Sequence, residues 1–268
     1  VLPSGDVISC IAALTDNQDF NKFLTYRFPG NRYGQDAELA GHKMGNLMMV
    51  AAQEVTGDFI DAIEFLKKLF QVKAEIYPAT NHAVTLSAET IDGRQIHTEE
   101  AIDLGKYAEP RVLNKVYLQP QNLIATKQVL RALDEADGVV VGPGDLYTNL
   151  LPVLLVPDIA KKLAELKCPK IFVVNVANKP FETKGYVVSD FIAAVKRHLN
   201  AFPFDIVLTN NNLHEEIPTK FHYDYVKVDE KLKKEPQAFT LVEKDLVNTD
   251  FPLYHNSDKL AKEIINHL

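Results

Sequence analysis

The sequence predicts an α/β fold built on a mainly parallel sheet, with helices on both faces and a small antiparallel hairpin as an appendage. In the second half of the chain, short apolar runs such as 138–141 and 170–175 alternate with amphipathic stretches of helical length, the order that parallel strands require. Residues 84–98 instead alternate apolar and polar side chains around an Asp92-Gly93 turn, as an antiparallel hairpin does. The predicted fold is therefore Rossmann-like.

Helices are predicted for most of the chain up to about Val72. Asp6 and Asp58 are of the residue type that caps helix N-termini, and each precedes apolar residues at helical spacing. The sequence shows no fixed-period repeat or low-complexity linker, so we expect a single domain over 1–268, with the hairpin around 73–118. The predicted elements of the second half are helix 123–136, strand 138–141, helix 159–166, strand 170–175, helix 189–199, strands 205–209 and 225–228, and helix 257–268.

The composition is that of an ordinary globular protein, with 46% hydrophobic and 24% charged residues in a chain of 268. A formal net charge of -7 argues against non-specific nucleic-acid binding, which needs a basic surface. Two cysteines, Cys10 and Cys168, exclude a disulfide framework and indicate free thiols in a reducing compartment. The most apolar stretch, 150–157, is too short to cross a bilayer. We therefore expect a cytoplasmic protein without membrane insertion.

The strand predicted at 138–141 ends in a polar loop with two glycines, Gly142–Asn149. Ligands of doubly wound sheets bind beyond the carboxyl ends of the strands, and glycines let the backbone approach a phosphate closely. Thr148 adds a short polar side chain there. The alternative is a tight turn into a helix, with Asp145 as its cap. Because a carboxylate repels a phosphate, Asp145 also suggests an intervening Mg²⁺ ion.

A second polar loop, 175–183, follows the next predicted strand, as a binding crevice requires. Lys179 in this loop is either a phosphate contact or an ordinary solvated lysine. His42, which is flanked by glycines, could act as an acid, a base or a phosphate donor, or it could be an ordinary buried histidine. We expect His198 at the surface of its helix.

Four segments spread along nearly the whole chain form a more specific pattern. They are 3–6 with Cys10; 26–28 followed by 40–42 and 45–47; 142–144 with 146–148 and Pro152; and Asn175 with Pro180, 182–183, 185–186 and Asp190. In this order they resemble the family that holds 2-phospho-L-lactate transferase and the gluconeogenesis factor, a nucleotide-sugar-binding bacterial regulator. The pattern is closer to the regulator branch, mainly through 147–148 and 182–186.

The resemblance implies a crevice that binds a nucleoside diphosphate compound, in a homodimer. In the transferase branch the implied ligand is a GDP-linked phospholactate with Mg²⁺, and in the regulator branch it is a UDP-sugar. The candidate catalytic residues are Asp6 and His42, and Asp6 and Asp145 are the candidate Mg²⁺ ligands. By position, the candidate ligand-binding residues are Gly142, Pro143, Gly144, Asp145, Leu146, Tyr147, Thr148, Asn149 and Asn175, with Gly41, His42 and Asn46 across the crevice.

The chain departs from the family pattern at several of these places. Asp145 and Asn149 stand where serines are usual, and 177–179 replaces a Met-Thr-Gln run. Tyr254 stands where a phosphate-contacting arginine is common. The strand and glycine-rich loop that open family members are absent upstream of Val1, so we expect the chain to be a truncated part of a longer protein.

Three hypotheses follow. The first is a UDP-sugar-binding regulator of central carbon metabolism or of the cell envelope and cell shape, without turnover, since the sequence offers no obvious nucleophile or acid–base pair. The second is a Mg²⁺-dependent transferase of the 2-phospho-L-lactate type with a GDP-linked donor. The third is a degenerate homologue that acts through protein contacts. None of the three requires a tightly bound cofactor.

Overall fold

The structure, a computed structural model, describes residues 5–30, 39–103 and 112–268. The chain divides into two compact units, Val1–Ala83 and Val84–Leu268. The prediction of a single domain over the whole chain stays a prediction.

The described part of the first unit is helical, as predicted. Asp58 caps the fourth helix, because its carboxylate accepts a hydrogen bond from the Ile60 N–H at 2.7 Å. The second helix was not predicted, and its cap is Asn17. The helices are α1 (Gly5–Leu14), α2 (Gln18–Thr25), α3 (Met44–Thr56) and α4 (Phe59–Leu69).

A glycine sets the packing of this first unit. A Cβ atom at Gly45 would lie 2.4 Å from Ile8 Cγ2 and 2.9 Å from the Leu24 carbonyl oxygen, so the backbone of α3 approaches α1 and α2 more closely than any other residue allows. The fully buried side chains of Met49 and Ile63 lie in the same apolar core. Gly45 is therefore explained by packing.

The second unit opens with a three-stranded antiparallel sheet of strands β1 (Thr85–Thr90), β2 (Gln95–His97) and β3 (Leu113–Gln119), in the order β2-β1-β3. The predicted hairpin is confirmed as β1 and β2, which pair in antiparallel register. Strand β3 was not predicted. A short helix, α5 (Glu99–Asp103), follows β2.

The main sheet of the second unit has four parallel strands flanked by helices, which confirms the predicted fold class. The strands that follow β3 are β4 (Val139–Val141), β5 (Lys170–Val173), β6 (Ala177–Asn178), β7 (Ile206–Asn210), β8 (Asp224–Tyr225) and β9 (Thr240–Lys244). The order of the main sheet is β4-β5-β7-β9. A separate two-stranded antiparallel sheet, β6 with β8, takes the place of the strand predicted at 225–228.

The helices of the second unit begin close to the predicted positions. Buried side chains of β5, β7, β9 and the last helix form one apolar cluster, which fixes the carboxyl edge of the sheet. The helices are α6 (Lys127–Asp134), α7 (Leu151–Leu154), α8 (Pro157–Glu165), α9 (Val188–Leu199), α10 (Glu230–Lys234) and α11 (Ser257–Ile265). In the parts of the chain that the structure describes, no helix combines the length and the apolar character needed to cross a membrane.

Candidate functional site

The loop after β4 is tightly built at the carboxyl edge of the parallel sheet. Gly142 has a φ of +89°, and a Cβ atom there would lie 2.7 Å from the carbonyl oxygen of Val173 at the end of β5. Both facts require glycine, the first because side chains disfavour positive φ and the second because a backbone atom cannot move aside. A π-helical turn, Leu146–Leu150, then leads into α7. Gly142 is therefore explained by a close crossing of two strand ends.

Two of the predicted ligand-binding residues contact each other at this edge. The Gly144 N–H donates a hydrogen bond to Asn175 Oδ1 at 3.1 Å. Asn175 follows β5, so the amide side chain joins the loop after β4 to the end of the neighbouring strand. This geometry matches the prediction that both residues belong to one edge of the sheet.

Three consecutive side chains of the loop after β4 are directed into the protein. Leu146, Tyr147 and Thr148 are buried, whereas Pro143 is exposed. In this conformation the three buried residues stabilise the loop. Their predicted contact with a ligand stays a prediction.

A buried carboxylate holds the start of the π-helical turn. Glu182 accepts hydrogen bonds from the Tyr147 N–H at 3.0 Å and from the Thr148 hydroxyl at 2.8 Å. Its side chain is fully buried. Burial raises the pKa of the Glu182 carboxyl group, although Lys179 and the two hydrogen bonds act in the opposite direction. Glu182 thus occupies the donors that the sequence suggested for a phosphate.

Lys179 is surrounded by three carboxylates and is largely buried. Its ammonium nitrogen lies 2.6 Å from Asp145 Oδ2 and 3.2 Å from Glu182 Oε1, and it also contacts Asp103 Oδ1. Burial alone would lower the pKa of the lysine, but Glu182 and Asp145 outweigh it and raise that pKa, so the ammonium stays charged. We call these four residues the acid–lysine cluster. Lys179 is therefore not simply solvated at the surface.

Asp145 was considered as a helix cap and as a ligand of an intervening Mg²⁺ ion, and neither alternative describes its contacts fully. Asp145 does stand at the N-terminus of the π-helical turn, but its side chain makes no capping hydrogen bond. It pairs instead with Lys179. Thus two residues that depart from the family pattern, Asp145 and Lys179, form an ion pair with each other.

The acid–lysine cluster meets the chemistry of a Mg²⁺ site only in part. One carboxylate oxygen from each of Asp103, Asp145 and Glu182 lies within 4.8 Å of the others, and oxygen ligands are what Mg²⁺ prefers. The Lys179 ammonium, however, lies among the same oxygens. A cation could use them only after the lysine had left, so the residues present do not fit Mg²⁺.

Tyr147 connects the loop to helix α9 through its buried ring. Its hydroxyl lies 2.9 Å from the Tyr186 hydroxyl, and its ring packs edge-on against His198. Burial raises the pKa of Tyr147. The prediction that His198 lies at the surface was wrong, because its ring accepts the Val116 N–H at 2.9 Å and bonds the Ala194 carbonyl at 2.7 Å.

The remaining candidates lie in the first unit. His42 is exposed, while Gly41 is buried and its N–H donates to the Phe28 carbonyl at 2.9 Å. Asn46 Oδ1 is buried and has no hydrogen-bond partner among the described residues. Asp6 is exposed in the first turn of α1. The prediction that these four residues face the loop at Gly142 stays a prediction.

A partly exposed histidine with a buried ring nitrogen, His255, was not among the candidates and lies beside the end of β5. The ring of His255 hydrogen-bonds the Val174 backbone, and its Nε2 atom is buried without a partner among the described residues. Burial lowers the pKa of His255 to about 4, and the hydrogen bond to Val174 acts in the opposite direction without cancelling this effect. The ring is therefore neutral near pH 7.

This neutral histidine predicts a loss of stability in acid. The folded pKa lies below that of the unfolded chain, so the unfolded state binds a proton first as the pH falls. The free energy of unfolding should decline between about pH 6.5 and about pH 4, with His255 contributing up to about 3 kcal/mol. Urea unfolding across this range measures the decline.

His255→Gln should remove most of this histidine-dependent slope, because glutamine does not titrate. His214→Gln is the matched control, since His214 is exposed, and it should leave the slope unchanged. Equal slopes in the wild type and His255→Gln would show that His255 is not buried in its neutral form.

The pairing of Lys179 with Glu182, which was not predicted from the sequence, follows from a local turn. Lys179 and Glu182 are the first and last residues of a four-residue turn with proline second, closed by a hydrogen bond from the Glu182 N–H to the Lys179 carbonyl at 3.3 Å. Such a turn sets the two side chains close together. The proline turn in the sequence could therefore have predicted the contact between Lys179 and Glu182. No comparable feature predicts the contact with Asp103, which is 76 residues away from Lys179 in the sequence.

The fold and this edge define an α/β protein whose parallel sheet carries a glycine loop, an asparagine and a cluster of charged residues at its carboxyl end. The chain belongs to the family of 2-phospho-L-lactate transferase CofD, whose family model matches residues 1–247. This confirms the resemblance found in the sequence.

Proteins named as gluconeogenesis factors are among its relatives. One from Bacillus subtilis is 30% identical over 270 residues, which cover 99% of this chain and 83% of that protein. One of the same type from Deinococcus radiodurans is 34% identical over 220 residues, or 82% of this chain. The match spans 46% of the Deinococcus protein, less than half of its length.

A solved structure supports the fold. The crystal structure of a member of the UPF0052 family from Bacillus halodurans superposes with a TM-score of 0.85 at 29% sequence identity. The match covers 98% of this chain and 83% of that one.

Proposed function

We propose that the chain binds a nucleoside diphosphate compound, in first place a UDP-sugar, and acts as a regulatory protein of the gluconeogenesis-factor type. The observation that carries the proposal is the hydrogen bond between Gly144 and Asn175 at the carboxyl edge of the parallel sheet. This edge is where open α/β sheets bind nucleotides. Relatives named as gluconeogenesis factors support the assignment to the regulator branch of the family.

The charged side chains of this edge favour binding over turnover. Lys179 is engaged by three carboxylates, and the Tyr147 hydroxyl is paired with that of Tyr186. A general acid or base needs a proton that can move to or from a substrate near neutral pH, and the raised pKa values of Lys179 and Tyr147 oppose this. A role in central carbon metabolism or the cell envelope, a homodimer and a cytoplasmic location belong to the same proposal.

The second candidate function is a Mg²⁺-dependent transferase with a GDP-linked donor. It is favoured by the family model, which bears the transferase name, and by the three close carboxylates. The ammonium of Lys179 among those carboxylates weighs against it.

A thermal-shift screen separates these candidates. A ligand at about 100 times its Kd stabilises the folded state by about 2.7 kcal/mol, so specific binding raises Tm with ligand concentration. We expect UDP-glucose or another UDP-sugar to raise Tm equally with and without Mg²⁺. A response only to GDP compounds with Mg²⁺ would support the transferase, and no response to either class would contradict both.

The variant Asn175→Ala tests the place of binding. It removes the acceptor of the Gly144 N–H, so the ligand-induced rise in Tm should be strongly reduced. Asn266→Ala is the matched control, because Asn266 is an exposed asparagine at the end of α11, and it should retain the full rise. An undiminished response in Asn175→Ala would place the ligand elsewhere.

A further inference from the structure

We propose that Lys179 is a built-in cation of the acid–lysine cluster, in the place that a divalent metal would take, so that ligand binding by this chain needs no Mg²⁺. The part that concerns the ligand rests on the proposed function. The part that concerns the cation rests on the cluster alone and can be tested without any nucleotide.

The geometry of the ammonium matches its surroundings. A lysine ammonium has three N–H donors and no acceptor, and here three carboxylates, from Asp103, Asp145 and Glu182, lie within contact distance of it. Each carboxylate belongs to a different segment of the chain. The positive charge therefore holds together three segments that would otherwise repel one another.

The lysine is fixed at both its backbone and its side chain. The Lys179 N–H donates to the Thr183 hydroxyl at 3.0 Å, and the Lys179 carbonyl accepts the Thr183 N–H at 3.0 Å. Only 17% of the side chain is exposed. A Mg²⁺ ion would need to lie about 2.0–2.1 Å from the same oxygens, so it could bind only after displacing a charged and anchored group.

The cluster also supports the proposed binding loop. Glu182 contacts Lys179 on one side, and on the other it accepts the Tyr147 N–H and the Thr148 hydroxyl. The lysine charge thus stabilises a carboxylate that orders the loop after β4. The cluster performs for this loop the positioning task that a bound metal performs in other sites.

Removal of the ammonium should expose a divalent-cation site. Mg²⁺ alone should raise the Tm of Lys179→Gln by several degrees and leave the Tm of the wild type unchanged. The double variant Lys179→Gln/Asp145→Asn should respond much less than Lys179→Gln, because one of three ligands is lost. Lys162→Gln, at a surface lysine with a single carboxylate partner, is the control and should not respond.

The outcomes distinguish the proposal from its alternatives. Folding of Lys179→Gln in Mg²⁺ but not in EDTA would support it as strongly as a rise in Tm. A variant that gains nothing from Mg²⁺ in either measurement would overturn it, as would a wild-type response to Mg²⁺ that Asp145→Asn abolishes. Since these arms use Mg²⁺ alone, failure of UDP-sugar binding leaves them intact.

Discussion

Replacement of Lys179 by methionine is expected to cost about 3–5 kcal/mol of folding stability near neutral pH. The change leaves Asp103, Asp145 and Glu182 close together without a counter-charge, and Glu182 is buried. Lys179 lowers the pKa of the buried Glu182 carboxyl group, so without the lysine the folded variant should bind more protons than its unfolded state as the pH falls. The difference in the free energy of unfolding between the wild type and Lys179→Met should therefore become smaller toward about pH 5. Urea unfolding at several pH values measures both effects.

The control for this prediction is Lys162→Met. Lys162 pairs with Asp134 at 2.7 Å at the surface of helices α8 and α6. Lys162→Met should therefore lose much less folding stability than Lys179→Met, and this loss should not become smaller in acid. Similar losses of folding stability in the two variants would contradict the account of a buried ion cluster. A loss of stability in Lys179→Met that is independent of pH would contradict it as well.

Gly142→Ala is expected to destabilise the chain by about 3 kcal/mol. An alanine at a φ of +89° is strained, and its Cβ atom would lie 2.7 Å from the Val173 carbonyl oxygen, which cannot move without shifting β5. Because the same shift displaces both Gly144 and Asn175, which follows β5, ligand binding should be lost as well. Chemical denaturation gives the first effect, and titration of the folded variant gives the second.

Gly93→Ala separates the cost of a positive φ from the cost of a steric clash with a neighbouring backbone atom. Gly93 has a similar φ of +84°, but apart from its chain neighbours no atom of the described residues lies within 4 Å of an added Cβ. Its substitution should cost about 1 kcal/mol and leave ligand binding unchanged. Equal costs at Gly142 and Gly93 would show that the contact between the loop and the end of β5 is not tight.

The parallel sheet was predictable where apolar residues follow one another without interruption along a strand. Strands β4, β5 and β7 are almost continuous apolar runs, and these were found. Strands β9 and β3 were missed. Strand β9 lies at the edge of its sheet and has one buried residue, Val242, so its sequence, Thr240–Lys244, shows no clear apolar pattern.

The candidate site was predictable to the extent that it follows from strand ends. Parallel strands end at one edge, and this placed Asn175 beside the loop that contains Gly144. The acid–lysine cluster was not predictable in the same way, because Asp145 and Lys179 meet across 34 residues and each alone resembles a surface charge. Glu182 was part of the family pattern, but its burial follows only from the three-dimensional packing.

Isothermal titration of the wild-type chain with UDP-glucose in EDTA tests the central claim most directly. We predict saturable binding heat in EDTA, unchanged by Mg²⁺ and strongly reduced in Asn175→Ala but not in Asn266→Ala. The absence of binding heat with UDP-glucose and other UDP-sugars would contradict the account, as would heat that appears only with a GDP compound and Mg²⁺.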